Sequence, residues 1–320
     1  MVNRKVVCIG GGIGTVNLIK GLKDYFSDIT VVVSMADDGG SSGRLRRLYN
    51  IPPPGDLVSC MSALIKNGND SYLQNLLTYR FKGDRYGKDK ELGGQKLGNL
   101  ILTAMRDITG SFEGAIELFK KTFSITGTFL PATSEAVSIS AKTIEGKIIH
   151  REETIDTGRY RGKRILEKIF LHPENAKANP LFIERIKNSD VIIAGPGDLY
   201  TTILPVLIVR GVSQALEESE AIKIFVVNVA NKPFETKGYR VNDYILAIKR
   251  HLGVFPFSKI IVNENYSAKI PAKYKYKYVD LENVESIDKN VQFIKSDLVD
   301  EKFPLYHSPA KLAKTILSNI

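Results

Sequence analysis

The chain has 320 residues, of which 43% are hydrophobic, so it can form one large α/β domain or two smaller ones with a sizeable core. Its formal net charge of +10 comes from scattered lysines and arginines, which favours an anion-binding cleft over a nucleic-acid partner. Two cysteines give no disulfide framework, and no apolar run approaches the roughly 18 residues of a membrane helix, so a cytoplasmic protein without membrane contact is expected.

The first predicted elements are a strand, a glycine-rich turn and a helix. Residues 5–9 are apolar and a helical spacing of apolar residues begins at Val16, which indicates a first strand and not a signal peptide. Free amides at a helix N-terminus bind anions, so the turn is a candidate phosphate site formed by Gly11, Gly12, Ile13 and Gly14. Thr15 and Asn17 stand where the dinucleotide fingerprint requires a glycine, and no Walker lysine follows, so NAD and ATP are disfavoured. A tight turn without any ligand is the alternative.

A second apolar run, residues 29–34, predicts a buried strand that leads into the segment MADDGGSSGR at residues 35–44. Glycines allow close backbone approach, serines and amides can bind phosphate oxygens, and carboxylates can bind a ribose hydroxyl or a divalent cation. Open α/β sheets bind ligands at the carboxyl ends of their strands, so this segment predicts a ligand-binding loop with candidates Asp37, Asp38, Ser41, Ser42 and Arg44. No resident cofactor is predicted, and Asp37 and Asp38 are candidate magnesium ligands.

The central part of the chain predicts helices and a loop over the site. Asp56 follows a proline-rich connection and is expected to cap one helix, and Asp70 or Ser71 is expected to begin the next. Residues 82–96 are polar, glycine-rich and aperiodic, which predicts a mobile loop over the site. Asn99 would lie in the first turn of the following helix, where it can face the cleft or simply cap the helix.

A β-rich insertion is predicted around residues 127–171. Apolar and polar residues alternate from Val137 to Ala141, a turn follows at residues 145–146, and the strand pattern then resumes, which predicts a β-hairpin. Thr133 lies in a proline-containing turn before the hairpin and offers a hydroxyl. The basic residues between 159 and 164 are expected to form a solvated rim.

The alternation of strands and helices then returns. A strand at residues 190–194 leads into a second glycine loop, and a strand at residues 224–228 leads into the polar segment 230–239. Polar loops that all follow strand ends predict a doubly wound, mainly parallel sheet with one shared cleft. The candidates from these loops are Gly195, Gly197, Asp198, Leu199, Tyr200, Asn228, Glu235 and Lys237. Alternating lysine and tyrosine at residues 273–278 predicts an edge strand. No histidine is expected in the cleft, since none of the four lies in these motifs: His150, His172, His251 and His307.

In order and spacing, these motifs resemble those of the YvcK-type gluconeogenesis factors of the CofD-like superfamily, over nearly the whole chain. The matching motifs are GGGIG at 10–14, ADDGGSSGR at 36–44, PPGD at 53–56, LGN at 97–99, PAT at 131–133, GPGDLYT at 195–201 and ETKGY at 235–239. Two positions depart from the family pattern. Ile13 replaces a threonine, which removes a hydroxyl contact to phosphate, and Phe234 replaces a glycine, which narrows the cleft.

The resemblance implies a three-layer, Rossmann-like α/β fold, with a single CofD-like domain over residues 1–320. It also implies a bacterial cytoplasmic protein that binds UDP-sugars such as UDP-N-acetylglucosamine. The implied role is in gluconeogenic growth and cell morphogenesis, without an established catalytic activity. The enzyme branch of the superfamily, the 2-phospho-L-lactate transferases, uses the same cleft for a nucleotide-activated phosphate donor together with magnesium.

Two functions therefore stay open. A ligand-binding regulator would hold a pyrophosphate on the first glycine loop and a ribose or a cation on Asp37 or Asp38. A transferase would use both carboxylates to hold magnesium, which would offset charge on the leaving phosphate. The sequence identifies neither the sugar nor a protein partner, and it leaves a homo-oligomer open.

Overall fold

A seven-stranded sheet forms the centre of the molecule in the computed structural model, which describes residues 2–66, 71–88, 91–281 and 291–320. Each neighbouring pair of strands in this sheet is parallel. Its strands, in chain order, are β1 (Val2–Ile9), β2 (Phe26–Val33), β3 (Thr128–Pro131), β7 (Val191–Ala194), β8 (Ile222–Val226), β10 (Lys259–Asn263) and β12 (Gln292–Ser296).

The spatial order of these strands is β3-β2-β1-β7-β8-β10-β12. The chain winds outward from β1 to β3, returns to the centre at β7, and then winds outward on the other side to β12. The order reverses between β1 and β7, and ligands of open α/β sheets bind at this reversal, beyond the carboxyl ends of the strands. The predicted doubly wound, parallel sheet is confirmed.

Helices flank the sheet and bury its strands on both faces. The four residues of β7 are all buried, which explains why the strand is a continuous apolar run without polar alternation. The helices are α1 (Gly12–Leu22), α2 (Gly40–Tyr49), α3 (Gly55–Ala63), α4 (Ser71–Thr78), α5 (Leu97–Thr109), α6 (Phe112–Thr122), α7 (Glu152–Thr157), α8 (Pro180–Lys187), α9 (Leu204–Leu207), α10 (Val212–Glu218), α11 (Val241–Leu252) and α12 (Pro309–Leu317). A π-helical turn, Leu199–Ile203, precedes α9, and a 3₁₀ turn spans Ala272–Tyr274.

The predicted insertion contains a separate antiparallel sheet. Its strands are β4 (Ser138–Thr143), β5 (Ile148–His150) and β6 (Leu166–His172), in the order β5-β4-β6, and α7 packs against β4 and β5. The predicted hairpin is β4 and β5. The boundary near residue 127 differs, because β3 pairs with β2 at the edge of the central sheet and the separate sheet begins only at Ser138.

Some local predictions change in the structure. The lysine and tyrosine alternation does not form an edge strand of the central sheet; only β11 (Lys277–Tyr278) is extended, and it pairs with β9 (Ala230–Asn231). Ser71 begins α4, whereas Asp70 lies outside the described residues. Cys8 and Cys60 are both buried. None of the described helices is long and apolar enough to cross a membrane.

Candidate functional site

The two glycine loops meet where the strand order reverses. A Cβ atom on Gly14 would lie only 2.4 Å from the carbonyl oxygen of Pro196, so a residue with a side chain could not let the loops pack this closely. Asn228 follows β8 and fixes the second loop, because its side-chain amide accepts from the backbone N–H of Gly197 and donates to the Gly197 carbonyl, both at 3.0 Å. The loops after β1, β7 and β8 therefore lie against one another at one edge of the sheet.

Three helices begin at this edge without a side-chain cap. The helices α1, α2 and α3 start at Gly12, Gly40 and Gly55, and none of their N-cap residues makes a side-chain capping hydrogen bond. Helices α2 and α3 begin close together, since a Cβ atom on Gly55 would lie 2.1 Å from Ser42 Oγ. Free amides and the positive end of the helix dipole make such termini suited to anions.

A cavity of about 500 Å³ lies beside these helix starts, and we name it the cationic cavity. Its lining combines serines with two carboxylates and four cations: Ser41, Ser42, Ser59, Asp37, Asp56, Lys20, Arg80, Arg85 and Lys96. Within the described part of the chain, none of these four cations lies within 4 Å of a carboxylate oxygen. The cavity therefore holds positive charge that an anion could compensate.

Two of these cations are held by neutral oxygens. The Arg80 guanidinium donates to Ser41 Oγ at 3.1 Å and to the carbonyl oxygen of Gly94 at 2.7 Å. Lys96 Nζ donates to Ser59 Oγ at 2.7 Å and to the Gly55 carbonyl at 3.1 Å, and this side chain is buried. Burial lowers the pKa of Lys96 to about 8, although nearby Asp56 acts in the opposite direction.

Asp37 and Asp56 are the paired carboxylates of the cationic cavity. Burial and the charge of Asp56 raise the pKa of Asp37 to about 6, despite the hydrogen bond that Asp37 Oδ1 accepts from Gly39 N–H at 2.9 Å. Burial also raises the pKa of Asp56, while Lys96 lowers it. Asp56 lies inside the first turn of α3 and accepts from the backbone N–H of Gly12, so its predicted role as the cap of α3 is wrong.

Asp38 turns away from Asp37 and contacts the insertion. Its Oδ1 accepts from the backbone N–H of Glu153 at 3.0 Å, and its Oδ2 lies 3.3 Å from Arg151 Nε. The carboxylate is not among the residues that line the cationic cavity. Asp37 and Asp38 therefore face different surroundings, and the carboxylate that lines the cationic cavity together with Asp37 is Asp56.

A second cavity of about 150 Å³ opens on the other side of Gly12 and Ile13, which line both cavities. We name it the aromatic cavity, and its other lining residues include Gly11, Gly14, Gly197, Asp198, Asn228, Tyr276, Tyr306 and His307. Neither lysine nor arginine is among the described residues that line it. Its one carboxylate, aromatic rings and neutral amide suit an uncharged, hydroxylated ring.

His307 corrects the expectation that no histidine lies in the cleft. It lines the aromatic cavity, and its Nε2 lies 3.1 Å from the carbonyl oxygen of Val227. Burial lowers the pKa of His307 to about 4, so the imidazole is neutral at physiological pH. A neutral histidine adds no positive charge to the cavity.

Several predicted site residues lie beneath the cavities and support them. Glu235 is buried and its carboxylate accepts from Tyr200 N–H at 3.0 Å and from Thr201 Oγ1 at 2.8 Å. Asn99 donates to Ser41 Oγ at 3.3 Å from the first turn of α5. Gly195 and Leu199 also lie in this layer, and neither lines a cavity.

Three other predicted residues lie elsewhere. Arg44 is buried, and its guanidinium donates to the carbonyl oxygens of residues 88, 91 and 93, at 3.0, 3.1 and 2.6 Å. Thr133 is buried in the turn that follows β3, and its hydroxyl accepts from Glu135 N–H at 3.1 Å. Lys237 is exposed, and it lines neither cavity.

Residues that the sequence analysis missed supply much of the charge and the aromatic surface. Arg85 and Lys96 lie within residues 82–96, the segment predicted as a loop over the site, and Arg80 lies just before it. The predicted position of that loop was the only signal in the sequence that could have identified them. Tyr276 and Tyr306 come from the last sixth of the chain. The alternating pattern around Tyr276 gave no indication that its ring lines a cavity.

Comparisons with known proteins place these features in a family. A family model described as 2-phospho-L-lactate transferase CofD matches residues 6–300. A Bacillus subtilis protein named "Gluconeogenesis factor" is 38% identical over 292 residues, which cover 91% of this chain and 82% of that protein. A gluconeogenesis factor relative from Clostridium acetobutylicum is 39% identical over 287 residues, which cover 89% of this chain. The match spans only 61% of the length of that relative. The crystal structure of a UPF0052 family protein from Bacillus halodurans has a TM-score of 0.88 and 34% identity, and the match covers 99% of both chains.

Proposed function

Since this chain belongs to the 2-phospho-L-lactate transferase CofD family, and its relatives are named gluconeogenesis factors, we propose that it is a regulatory protein that binds a nucleotide sugar. UDP-N-acetylglucosamine is the proposed ligand. We further place this role in the cytoplasm, in growth on gluconeogenic carbon sources and in the control of cell shape, through a protein partner that senses the bound state. Neither nucleic acid nor a membrane is part of this proposal.

The main support for this proposal is that the side-chain cations line the cationic cavity and not the adjoining aromatic cavity, among the described residues. A diphosphate bears roughly two negative charges, whereas one helix N-terminus offers only about half a positive charge. The cationic cavity adds four side-chain cations without an ion pair in the described residues, against Asp37 and Asp56. Among the described residues that line the adjoining aromatic cavity there is no such cation, and this cavity suits a neutral ring. A nucleotide sugar combines these two parts in one molecule.

Calorimetric titration and thermal unfolding with UDP-N-acetylglucosamine test this function. A ligand at about a hundred times its Kd stabilises the folded state by about 2.7 kcal/mol, so the melting temperature should rise. NAD serves as the matched dinucleotide control, because the first glycine loop lacks the dinucleotide spacing. A melting temperature that rises with NAD and does not rise with UDP-sugars would contradict the proposal and would indicate a dinucleotide ligand.

One observation favours a second candidate, a magnesium-dependent transferase. Asp37 and Asp56 both line the cationic cavity, and the charge of Asp56 helps to raise the pKa of Asp37, so a divalent cation with carboxylate oxygen ligands fits there. Magnesium held there would offset negative charge on a phosphate leaving group. Incubation of the protein with magnesium and UDP-N-acetylglucosamine, followed by assay for UMP and UDP, separates the candidates. Steady product release, lost in Asp37→Asn, would favour the transferase.

A further inference from the structure

Lys232 lies behind the aromatic cavity and is surrounded by three carboxylates. Its side chain is 12% exposed, and Nζ donates to Asp198 Oδ2 at 2.7 Å, to Glu235 Oε1 at 3.0 Å and to Asp156 Oδ1. These carboxylates come from different parts of the fold: α7 in the insertion, the loop after β7, and the loop after β9. Lys232 therefore joins three segments at one point.

The position of Lys232 is constrained by its buried partner Glu235. Glu235 has a side chain with 0% exposure, and Tyr200 N–H and Thr201 Oγ1 both donate to its carboxylate. Loss of these carboxylates would leave the Lys232 ammonium buried without a compensating charge, which is costly. The position of Lys232 is therefore fixed, and its hydrogen bond to Oδ2 fixes the orientation of the Asp198 carboxylate.

Asp198 is the one carboxylate among the described residues that line the aromatic cavity. Its side chain is 35% exposed, and Lys232 uses only Oδ2. Within the described parts of the chain, Oδ1 has no hydrogen-bond partner. A carboxylate oxygen is only an acceptor, so the ligand group that it suits is a donor such as a hydroxyl.

We propose that Asp198 is a specificity-determining residue that accepts a hydrogen bond from a hydroxyl of a bound ring, and that Lys232 is the positioning residue that holds Asp198 for this contact. The proposal rests on the proposed function, because a nucleotide sugar places a hydroxylated ring next to its diphosphate. The ring is the ribose or the hexose, which present the same chemistry. A carboxylate acceptor makes the contact charge-assisted and therefore strong.

Calorimetric titration with two pairs of ligands tests the specificity. UDP against 2′-deoxy-UDP reports on the ribose, and UDP-N-acetylglucosamine against UDP reports on the hexose. In one of the pairs, the wild-type protein should bind the ligand with the additional hydroxyl or hexose about tenfold or more tightly than the ligand without it. This is the difference expected of a hydrogen bond to a charged group. That preference should be lost in Asp198→Ala and partly restored in Asp198→Asn, which keeps an acceptor oxygen.

Lys232→Met and the double variant Asp198→Ala with Lys232→Met test the positioning role. If Lys232 acts through Asp198, Lys232→Met should remove the same preference, and the double variant should lose no more than Asp198→Ala alone. Lys187→Met is the matched control, because its exposed ammonium pairs with Glu218 at 3.7 Å and lines neither cavity. If Lys232→Met does not unfold cooperatively, Asp156→Asn takes its place, since Asp156 is 32% exposed and anchors the same ammonium.

The outcomes separate this inference from the proposed function. If the wild-type protein binds none of the UDP ligands, the proposed function is contradicted and the inference falls with it. If it binds them without a preference in either pair, or if Asp198→Ala keeps the preference, only the role of Asp198 is overturned. An unchanged preference in Lys232→Met, or in Asp156→Asn where that variant is used, overturns the positioning role.

Discussion

Lys96 is a buried ammonium held by a hydroxyl and a carbonyl instead of a carboxylate. Its pKa in the folded protein, about 8, lies below the value of about 10.4 for an unfolded lysine. Between these values the unfolded state binds more protons, so this residue destabilises the fold below pH 8 and the cost disappears as pH rises to about 10.4. Such a residue favours binding of an anion, which would stabilise the charged form.

We expect Lys96→Met to weaken UDP-N-acetylglucosamine binding by about tenfold or more near neutral pH, because a hydrogen bond to a charged group is lost. In the wild-type protein, affinity should fall as pH rises through about 8, and this fall should be absent from the variant. Calorimetry across that pH range, with Lys187→Met as control, measures both effects. Equal affinities in wild type and Lys96→Met would show that Lys96 does not contact the ligand.

The raised pKa of Asp37 predicts a stabilising substitution at the same cavity. Its pKa of about 6 exceeds the value of about 3.9 for an unfolded aspartate, so its contribution to stability is present at acidic pH and is lost as pH rises through 6. Asp37→Asn should therefore increase the free energy of unfolding near pH 7 by roughly 1 to 3 kcal/mol, and the gain should shrink below about pH 6. Denaturant titrations at several pH values measure this, and a variant less stable than wild type near pH 7 would contradict it.

Among the contacts between elements, Arg44 connects α2 to the loop between α4 and α5, which borders the cationic cavity. Its three carbonyl acceptors lie in residues 88–93, between Arg85 and Lys96. The sequence predicted Arg44 as a cation that binds phosphate. In the structure its side chain points from the buried face of α2 into the loop and not into the cationic cavity. The helix thus carries Ser41 and Ser42 toward the cavity and Arg44 away from it.

We expect Arg44→Lys to lower the free energy of unfolding by roughly 1 to 3 kcal/mol, since a lysine ammonium cannot reproduce the planar fork that reaches several carbonyls. Ligand affinity should fall through disorder of the loop, and the salt dependence of binding should stay as in the wild-type protein. Denaturant titration measures the stability, and calorimetry at two salt concentrations measures the second effect. A weaker salt dependence in Arg44→Lys would instead indicate a direct contact between Arg44 and the ligand.

For the whole molecule, features encoded in a few consecutive residues could be predicted from the sequence. The family resemblance, the parallel doubly wound sheet and the glycine loops after β1 and β7 are confirmed. Each of these depends on short strand and turn patterns, and on the rule that ligand loops follow strand ends. Asn99 was likewise placed in the first turn of its helix from local sequence alone.

Features that depend on contacts between distant segments could not be predicted in this way. Asp37 and Asp38 are adjacent in the sequence, but one faces Asp56 and the other the insertion, and no local pattern distinguishes them. Arg85 reaches the start of α2, since a Cβ atom on Gly40 would lie 2.7 Å from its Nε. His307 enters the cleft from the loop before α12. These placements require the packed structure.

The separation of charge across the reversal point of the sheet predicts how parts of the ligand bind. Inorganic pyrophosphate should compete with UDP-N-acetylglucosamine, because it supplies only the anionic part that the cationic cavity suits. Its affinity should fall between about 50 mM and about 500 mM salt, whereas binding of uridine or N-acetylglucosamine should change little, since screening acts on charges. Lys20→Met should reduce that salt dependence, and Lys187→Met should leave it unchanged. Competition calorimetry measures these effects, and pyrophosphate that does not compete would place the diphosphate outside the cationic cavity.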